Sequence, residues 1–291
     1  MGEAPCHTRA VPGPIPVSVI VMTKDEEGNL PKCLASVRDF AEVFVVDSAS
    51  RDRTREIAVD HGARVVPFAW DGLYPKKKQW CLENLPFGHP WVLYVDADEE
   101  VTPPLAEEIR GLMAGPPPPH TGYLARYDYY FMGRLLRHGP QTLKTILFPH
   151  AKARFADLDD KAAGRAGEVE LHFQPTIAGS VGTLAHTMVH REVDSLFHYF
   201  ERHNQYSDWE AVIRSNGVFA STQRILGPRQ RLLGALFARL PFKPLVAFVH
   251  GYLVQRGFRD GRAGFHFAVA RAFYYWQIEL KMRELAMSEP D

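Results

Sequence analysis

Residues 17–95 alternate two sequence patterns, and this alternation constrains the fold more than any other feature of the chain. Four short apolar runs are rich in β-branched residues, as strands buried on both faces of a sheet are. They lie at 17–22, 43–46, 64–68 and 91–95. The intervening segments, 27–40, 52–61 and 76–85, space apolar residues three and four positions apart, as amphipathic helices do. Alternating strands and helices favour right-handed crossovers, so we predict an α/β fold with a doubly wound, mainly parallel sheet.

The chain divides into four stretches on the basis of these patterns. Residues 1–14 form a proline-rich lead-in that we expect to be disordered, and 15–115 hold the predicted nucleotide-binding half. Gly115 and the four prolines after it separate this half from a second one at 116–222. Residues 223–291 differ in composition, and we predict that they form a helical, basic C-terminal appendage.

Charge balance and cysteine content exclude several classes of protein. The 34 Lys and Arg residues equal the 34 Asp and Glu residues, so the chain as a whole has no electrostatic attraction to nucleic acid. Its three cysteines, Cys6, Cys33 and Cys81, form no CxxC pair, which argues against a disulfide framework or a zinc site. The N-terminus lacks the apolar core of a signal peptide. We therefore expect a cytoplasmic protein that does not bind nucleic acid.

The C-terminal stretch combines basic side chains with apolar and aromatic ones. Its apolar runs are interrupted by Arg239, Lys243 and His250 before they reach the length of about 18 residues that a spanning helix needs. A basic amphipathic segment of this kind is typical of proteins that contact the interface of a membrane. The alternative is an appendage that packs on the core and exposes its basic face to solvent. Because basic side chains and apolar side chains occur together in this stretch, membrane contact is the favoured interpretation.

Acidic residues follow three of the four predicted strands. Ligands of open α/β sheets bind beyond the carboxyl ends of the strands, so these residues are candidates for a site. Asp96 and Asp98 follow the fourth strand, and on an extended segment residues two apart point to the same side, about 7 Å from each other. Such a pair suits Mg²⁺ or Mn²⁺, hard cations that bridge carboxylates to a diphosphate. Asp47, which ends the second strand, is placed to accept hydrogen bonds from a nucleobase or ribose.

Three motifs in this order carry a family resemblance. The segments SVIVMTKDEE, VFVVDSASRDRT and WVLYVDADEE are similar to those of the family 2 glycosyltransferases, which have the GT-A fold. The chain most resembles the bacterial branch that builds lipopolysaccharide core and related cell-surface glycans, over roughly residues 15–220. It departs from the usual pattern at Asp25, where the family has Asn.

The resemblance implies a metal-assisted, inverting transfer of a hexose from a nucleotide sugar, usually UDP-linked, to a lipid-anchored or cell-envelope glycan acceptor. It assigns the acceptor and catalytic half to 116–222 and places the enzyme at the inner face of the plasma membrane. The implied nucleotide-sugar contacts are Thr23, Asp25, Glu26, Asp47, Lys77 and Asp96. Asp98 is the implied principal metal ligand, and Asp96 approaches ribose or metal. The lysine run that contains Lys77 is also compatible with a solvated start of a helix.

Inversion by a single displacement needs a base that accepts the proton of the acceptor hydroxyl. Glu168 and Glu170 fall where the second half of the family supplies this base, and we predict Glu170, with Glu168 as the alternative. Either residue is also compatible with a surface position. His190 ends an apolar stretch, and some GT-A enzymes complete the metal site with a late histidine, whose neutral imidazole suits Mn²⁺. A structural role is the alternative for His190.

Two other functions share part of this pattern. Sugar-nucleotide pyrophosphorylases also combine a doubly wound sheet with acidic metal ligands, but they need a glycine-rich basic loop after the first strand. Here that loop reads TKDEEGN, which is acidic and poorly suited to a triphosphate. A non-catalytic nucleotide-binding protein would be expected to lack the aspartates at 96 and 98, and this chain has both.

Overall fold

The structure is a computed structural model that describes residues 13–157, 174–191, 195–216 and 242–288. Its strands are β1 (Ile15–Thr23), β2 (Phe40–Asp47), β3 (Arg64–Pro67), β4 (Trp91–Asp96), β5 (Glu99–Val101), β6 (Gly122–Phe131), β7 (Arg134–Leu136), β8 (Leu143–Pro149), β9 (Ala153–Arg154), β10 (Thr176–Ile177) and β11 (Val181–Arg191). Its helices are α1 (Leu30–Ser36), α2 (Thr54–Asp60), α3 (Lys77–Asn84), α4 (Pro103–Ala114), α5 (Leu196–Ser215), α6 (Lys243–Val249) and α7 (Gly261–Ser288). The boundaries proposed above for the four stretches remain predictions, and of the lead-in only Gly13 and Pro14 are described.

Within the described ranges, nine strands form one sheet in the order β3-β2-β1-β4-β8-β6-β11-β5, with β7 paired to β6. The four strands predicted from the alternating pattern pair in parallel with one another. β8 runs antiparallel between β4 and β6, and β6 pairs in parallel with β11. β5 runs antiparallel to β11 at the edge. The predicted α/β fold is confirmed, and its parallel pairing is concentrated in the first half.

Helices cover both faces of the sheet because successive residues of a strand point to opposite faces. On one face, Val19 of β1 lies in a buried cluster with Leu30 of α1. On the other face, Ile20 lies in a cluster with Leu82 of α3 and Trp209 of α5. Full burial of side chains of this size stabilises the fold by roughly 1.5–3 kcal/mol each. The strands are therefore fixed from both sides, and their ends are held in register.

The C-terminal helices pack against the second half of the sheet. Phe267 of α7 lies in a buried cluster with Phe131 of β6 and Tyr199 of α5. At the start of α7, the Asp260 carboxylate accepts hydrogen bonds from the backbone N–H groups of Arg137, at 3.2 Å, and His138, at 2.8 Å. Within residues 242–288, the predicted helices of the appendage are present and one side of them packs on the core. Among the described helices, none combines the length and the apolar content needed to cross a bilayer.

A carboxylate from α4 supports an irregularity in β11. The pairing of β11 with β6 shifts register between Thr183 and Thr187, which leaves backbone N–H groups without strand partners. Glu108 accepts hydrogen bonds from two of them, Ala185 at 2.8 Å and His186 at 3.0 Å. Burial raises the pKa of Glu108, but these hydrogen bonds outweigh that effect and lower the pKa from its usual value. The ionised form of Glu108 therefore stabilises the bulge that precedes the end of β11.

We expect Glu108→Gln to lower the free energy of unfolding by about 1–3 kcal/mol, because one backbone N–H loses its acceptor and the other keeps only a neutral one. The folded-state pKa of Glu108 is lower than its unfolded-state pKa of about 4.3. The difference in the free energy of unfolding between wild type and variant is therefore full above this unfolded-state pKa, and it disappears as the pH falls through the folded-state pKa. Urea unfolding between pH 3 and 7 measures this difference. Glu107→Gln, at an exposed position on the same helix, is the matched control. Equal stability of the two variants at pH 7 would contradict the role of Glu108.

Candidate functional site

The carboxyl ends of the parallel strands meet at one edge of the sheet. Thr23 at the end of β1 lies opposite Asp47 at the end of β2, and Met22 lies opposite Asp96 at the end of β4. This register brings together residues that the sequence pattern placed after different strands. The edge is therefore the position at which an α/β sheet of this kind binds its ligand.

Reciprocal hydrogen bonds join the loop after β1 to the loop after β2. Asp25 donates its backbone N–H to Ser50 Oγ at 2.8 Å and accepts the N–H of Arg51 on Oδ1 at 2.7 Å. The N–H of Glu26 donates to Thr54 Oγ1 at 2.8 Å. Asp25 has a φ of +56°, a left-handed conformation that Asp and Asn tolerate better than most residues. These contacts occupy residues 25–27, which explains why α1 begins at Leu30 rather than at the predicted residue 27.

The Asp47 side chain is fully buried at this edge. Its carboxylate accepts hydrogen bonds from Thr23 Oγ1 at 3.3 Å, from the Ser50 hydroxyl and from Arg55 Nε at 2.5 Å. Burial raises the pKa of Asp47, but the hydrogen bonds from Ser50 and Arg55 outweigh it and hold the pKa below its usual value. Asp47 is therefore an ionised carboxylate whose direct contact with a nucleobase would require Arg55 or Ser50 to move.

Lys77 reaches the same edge from the start of α3. Its Nζ donates to the backbone carbonyl of Thr23 and to Ser48 Oγ, each at 2.9 Å. The ammonium group thus lies between the ends of β1 and β2. The lysine thereby links the two strand ends at the edge where the resemblance predicts the diphosphate.

The segment that contains Asp96 and Asp98 does not have the predicted extended conformation. Ala97 and Asp98 form a turn, after which the chain begins β5 at Glu99. The turn is required because β4 and β5 belong to different parts of the sheet, with β5 paired to β11. The two aspartates consequently face different partners, and the expectation that they lie side by side on one strand was wrong.

Asp98, Glu99 and His190 form a cluster that could hold a metal ion, since one ligand atom from each lies within 4.8 Å of the others. His190 lies opposite Glu99 in the pairing of β11 with β5, which brings the histidine to the acidic turn. Its Nδ1 lies 3.6 Å from Asp98 Oδ1 and 3.9 Å from Glu99 Oε1. This buried nitrogen has no hydrogen-bond partner among the described residues. An imidazole nitrogen and carboxylate oxygens suit Mn²⁺, so the residues present fit the predicted cation.

Asp96 is not a member of this cluster in the described part of the chain, because its carboxylate pairs elsewhere. Lys144 on β8 places Nζ 2.9 Å from Asp96 Oδ2 and 2.5 Å from Glu99 Oε1. The second oxygen of Glu99 accepts the Asp96 N–H at 3.0 Å and the Tyr127 hydroxyl at 3.2 Å. Burial raises the pKa of Glu99, with Lys144 opposing the shift and the neighbouring aspartates adding to it. The acidic turn is thus held by a cation from a strand in the second half.

Two further groups border the candidate cation site. Arg202 on α5 places Nη1 3.6 Å from Asp98 Oδ2. The ring of Tyr129 lies against His190, with centroids 4.6 Å apart, and its centroid is also 6.0 Å from that of Phe267 of α7. Sequence reasoning did not single out Glu99, Lys144 or Arg202. Glu99 could have been predicted from the acidic run that follows β4. Lys144 and Arg202 reach the site only through the tertiary structure, so the local sequence does not indicate them.

The predicted base residues, Glu168 and Glu170, lie outside the described residues. Their assignment therefore remains a prediction. Most of the other predicted residues lie at or next to the edge where the strands end. They are Thr23, Asp25, Glu26, Asp47, Lys77 and Asp96. The remaining two, Asp98 and His190, come together in the candidate cation cluster.

Comparison with known proteins supports one family. The chain is 33% identical to an uncharacterized glycosyltransferase of Rickettsia bellii over 139 residues, which is 47% of this chain and 44% of that protein. The matched stretch thus spans less than half the length of that relative. The chain is also 27% identical to the lipopolysaccharide core biosynthesis glycosyltransferase LpsC of Rhizobium meliloti over 284 residues, which is 92% of each chain.

Among solved structures, the chain is similar to S. aureus TarS, with a TM-score of 0.41 and 13% identity over 88% of this chain and 89% of that one. It is also similar to glucosyl-3-phosphoglycerate synthase from Mycobacterium tuberculosis, with a TM-score of 0.39 and 17% identity over 68% and 77% of the two chains. The sequence model described as glycosyl transferase family 2 matches residues 18–167, just over half of the chain. The protein therefore belongs to glycosyltransferase family 2.

Proposed function

We propose that the protein is an inverting glycosyltransferase that moves a hexose from a UDP-linked sugar to a lipid-anchored glycan acceptor of the cell envelope. The observation that carries this proposal is the cluster of Asp98, Glu99 and His190 at the sheet edge, with a buried histidine nitrogen left unbonded among the described residues. Membership of family 2 supports the transfer of a sugar. The strand-end motifs that resemble this family favour a UDP-linked donor.

In this proposal, Asp98, Glu99 and His190 hold Mg²⁺ or Mn²⁺, which neutralises the negative charge of the departing nucleoside diphosphate. The strand ends supply the rest of the donor pocket. Thr23 and Asp47 line the nucleoside side, and Lys77 faces the diphosphate as a second positive charge. Because Thr23 and Asp47 end neighbouring strands and Lys77 begins a helix packed on the sheet, the donor is positioned without a large rearrangement of the backbone.

The transfer itself requires a base on the face of the sugar opposite the leaving group. We assign this role to Glu170, with Glu168 as the alternative, as the family resemblance implies. A carboxylate at this point takes the proton from the acceptor hydroxyl while the new glycosidic bond forms, and the anomeric configuration is inverted in one step.

An acceptor attached to lipid is supported by the similarity to LpsC and by the outer surface of the C-terminal helices. In the described residues, four exposed large apolar side chains lie in 13–191 and sixteen lie in 195–288. Five of them form a stripe along α7 with the spacing of one helix face. They are Phe265, Val269, Phe273, Trp276 and Leu280.

The turn between α6 and α7 adds positive charge to this surface. Arg256, Arg259 and Arg262 are exposed beside the exposed Val254 and Phe258. No carboxylate within the described ranges lies within ion-pair distance of these three arginines. The nearby Asp260 is turned toward the core by its bonds to the β7 loop. Apolar side chains next to unpaired cations fit an anionic membrane surface, and we propose that this region holds the enzyme at the inner face of the plasma membrane.

Incubation of the protein with UDP-sugars, Mn²⁺ and a lipid-linked glycan acceptor tests the function. We expect release of UDP together with a new glycoside. Asp98→Asn and His190→Gln should each lower the transfer rate by roughly 100-fold or more and weaken Mn²⁺ binding, because a cation ligand contributes several kcal/mol to the transition state. His186→Gln, four residues earlier on β11, is the control and should retain the wild-type Mn²⁺ affinity. Pyrophosphate exchange instead of transfer, or nucleotide binding without turnover, would contradict the proposal.

Glu170→Gln should leave the affinity for the UDP-sugar unchanged and reduce transfer by at least about 100-fold, because a general base contributes 10²–10⁴-fold. Glu168→Gln, two residues away, is the matched variant and should retain most of the activity. Donor binding by calorimetry and transfer by mass spectrometry separate the two effects. If only Glu168→Gln loses transfer, Glu168 is the base instead of Glu170. If both variants keep full activity, neither of these glutamates is the base.

Replacing Arg256, Arg259 and Arg262 together by Ala should weaken binding to vesicles that contain phosphatidylglycerol by roughly 100-fold, since each arginine near an anionic surface contributes about 1 kcal/mol. Wild-type binding should also fall as salt is added, because screening shortens the range of the attraction. Co-sedimentation with vesicles measures both effects. Arg38→Ala combined with Arg53→Ala, at exposed positions in the first half, is the control. If neither the triple replacement nor added salt changes vesicle binding, these helices form a packed appendage instead.

A further inference from the structure

Lys144 lies between two carboxylates at the candidate cation site. Its Nζ is 2.9 Å from Asp96 Oδ2 and 2.5 Å from Glu99 Oε1, and it lies 4.9 Å from the centre of the Tyr127 ring. The lysine belongs to β8, the antiparallel strand inserted between β4 and β6. It therefore approaches the acidic turn from within the sheet, on a strand whose central residues are buried on both sides.

The protein takes up three of the roughly four hydrogen-bond positions of the Glu99 carboxylate. One oxygen contacts Lys144, and the other accepts the N–H of Asp96 and the hydroxyl of Tyr127. Only 1% of the Glu99 side chain is exposed. A carboxylate held in this way attracts an incoming cation less strongly, because the ammonium group at 2.5 Å already offsets part of its charge.

Asp98 and His190 are held more loosely. The two groups are 3.6 Å apart, and Arg202 approaches the other oxygen of Asp98 at the same distance. These separations exceed the length of a charge-assisted hydrogen bond. Among Asp96, Asp98 and Glu99, Asp98 is thus the residue whose carboxylate can bind a cation with the least loss of the contacts described above.

We propose that Lys144 is a positioning residue that acts as an internal counter-cation: it occupies Asp96 and Glu99, so that a divalent cation binds weakly on its own and tightly only together with a nucleoside diphosphate. This inference rests on the proposed function, because it concerns the same cation site. Mg²⁺ and Mn²⁺ need several oxygen ligands, and Asp98 and His190 supply only two strong ones. The diphosphate provides the remaining oxygens, so the donor brings the cation into the site and the cation leaves with the nucleotide.

Titration of Mn²⁺ alone and of Mn²⁺ with saturating UDP, followed by calorimetry and by electron paramagnetic resonance, tests this role. We expect UDP to tighten Mn²⁺ binding to the wild type by at least tenfold. Lys144→Gln should bind Mn²⁺ alone at least tenfold more tightly than the wild type, because two carboxylates lose their counter-charge, and the gain from UDP should shrink. Lys144→Arg keeps the charge and should behave as the wild type. Lys152→Gln, in the exposed turn after β8, is the matched control.

A purely structural lysine would give a different result. Lys144→Gln would then show a lower Tm with the Mn²⁺ affinity unchanged within twofold, and this outcome would overturn the inference. If Lys144→Gln does not fold, the test depends on the wild type alone. Equal Mn²⁺ affinity of the wild type with and without UDP would then overturn the inference about Lys144. A wild type that binds no Mn²⁺ even with UDP would refute the cation site of the proposed function. Mn²⁺ binding that requires UDP but is the same in Lys144→Gln would refute the lysine's role alone.

Discussion

Three carboxylates within four residues must share one end of a sheet, and their mutual repulsion is the constraint on which the site depends. Asp96, Asp98 and Glu99 are kept together by cations that come from distant parts of the chain, Lys144 on β8 and Arg202 on α5. Burial makes an unpaired carboxylate costly, so Lys144 stabilises the charged form of Glu99. The second half of the sheet therefore stabilises the acidic turn that the first half produces.

The first half of the fold follows from local sequence. Strands buried on both faces appear as continuous apolar runs, and the helices between them show their own spacing, so β1 to β4 and α1 to α3 were predicted close to their observed bounds. The convergence of Thr23, Asp47 and Asp96 at one edge follows from parallel pairing, and it was predicted for the same reason. The helix ends were less accurate, because loop hydrogen bonds such as that between Asp25 and Ser50 compete with helix formation.

The candidate site was only partly predictable. The extended conformation expected for Asp96 and Asp98 was wrong because the pairing of β5 with β11, more than 80 residues later in the chain, turns the backbone at Ala97. Such long-range pairing leaves no trace in the local pattern. The position of Lys144 depends in the same way on the insertion of β8 beside β4, and nothing in its immediate sequence distinguishes it from other lysines. His190 was predicted from the family resemblance, and its approach to Asp98 comes from the register of β11.

The stacked rings at the end of β11 have a mechanical consequence. Tyr129 contacts both His190 and Phe267, so this side chain links α7 to the histidine of the candidate cation cluster. Phe267 is in turn packed against Phe131 and Tyr199. A tilt of α7 relative to the sheet would move Phe267 and, through Tyr129, would alter the surroundings of the imidazole. In the proposed function, adsorption of α7 at a bilayer would therefore be transmitted to the candidate cation site through these packed rings.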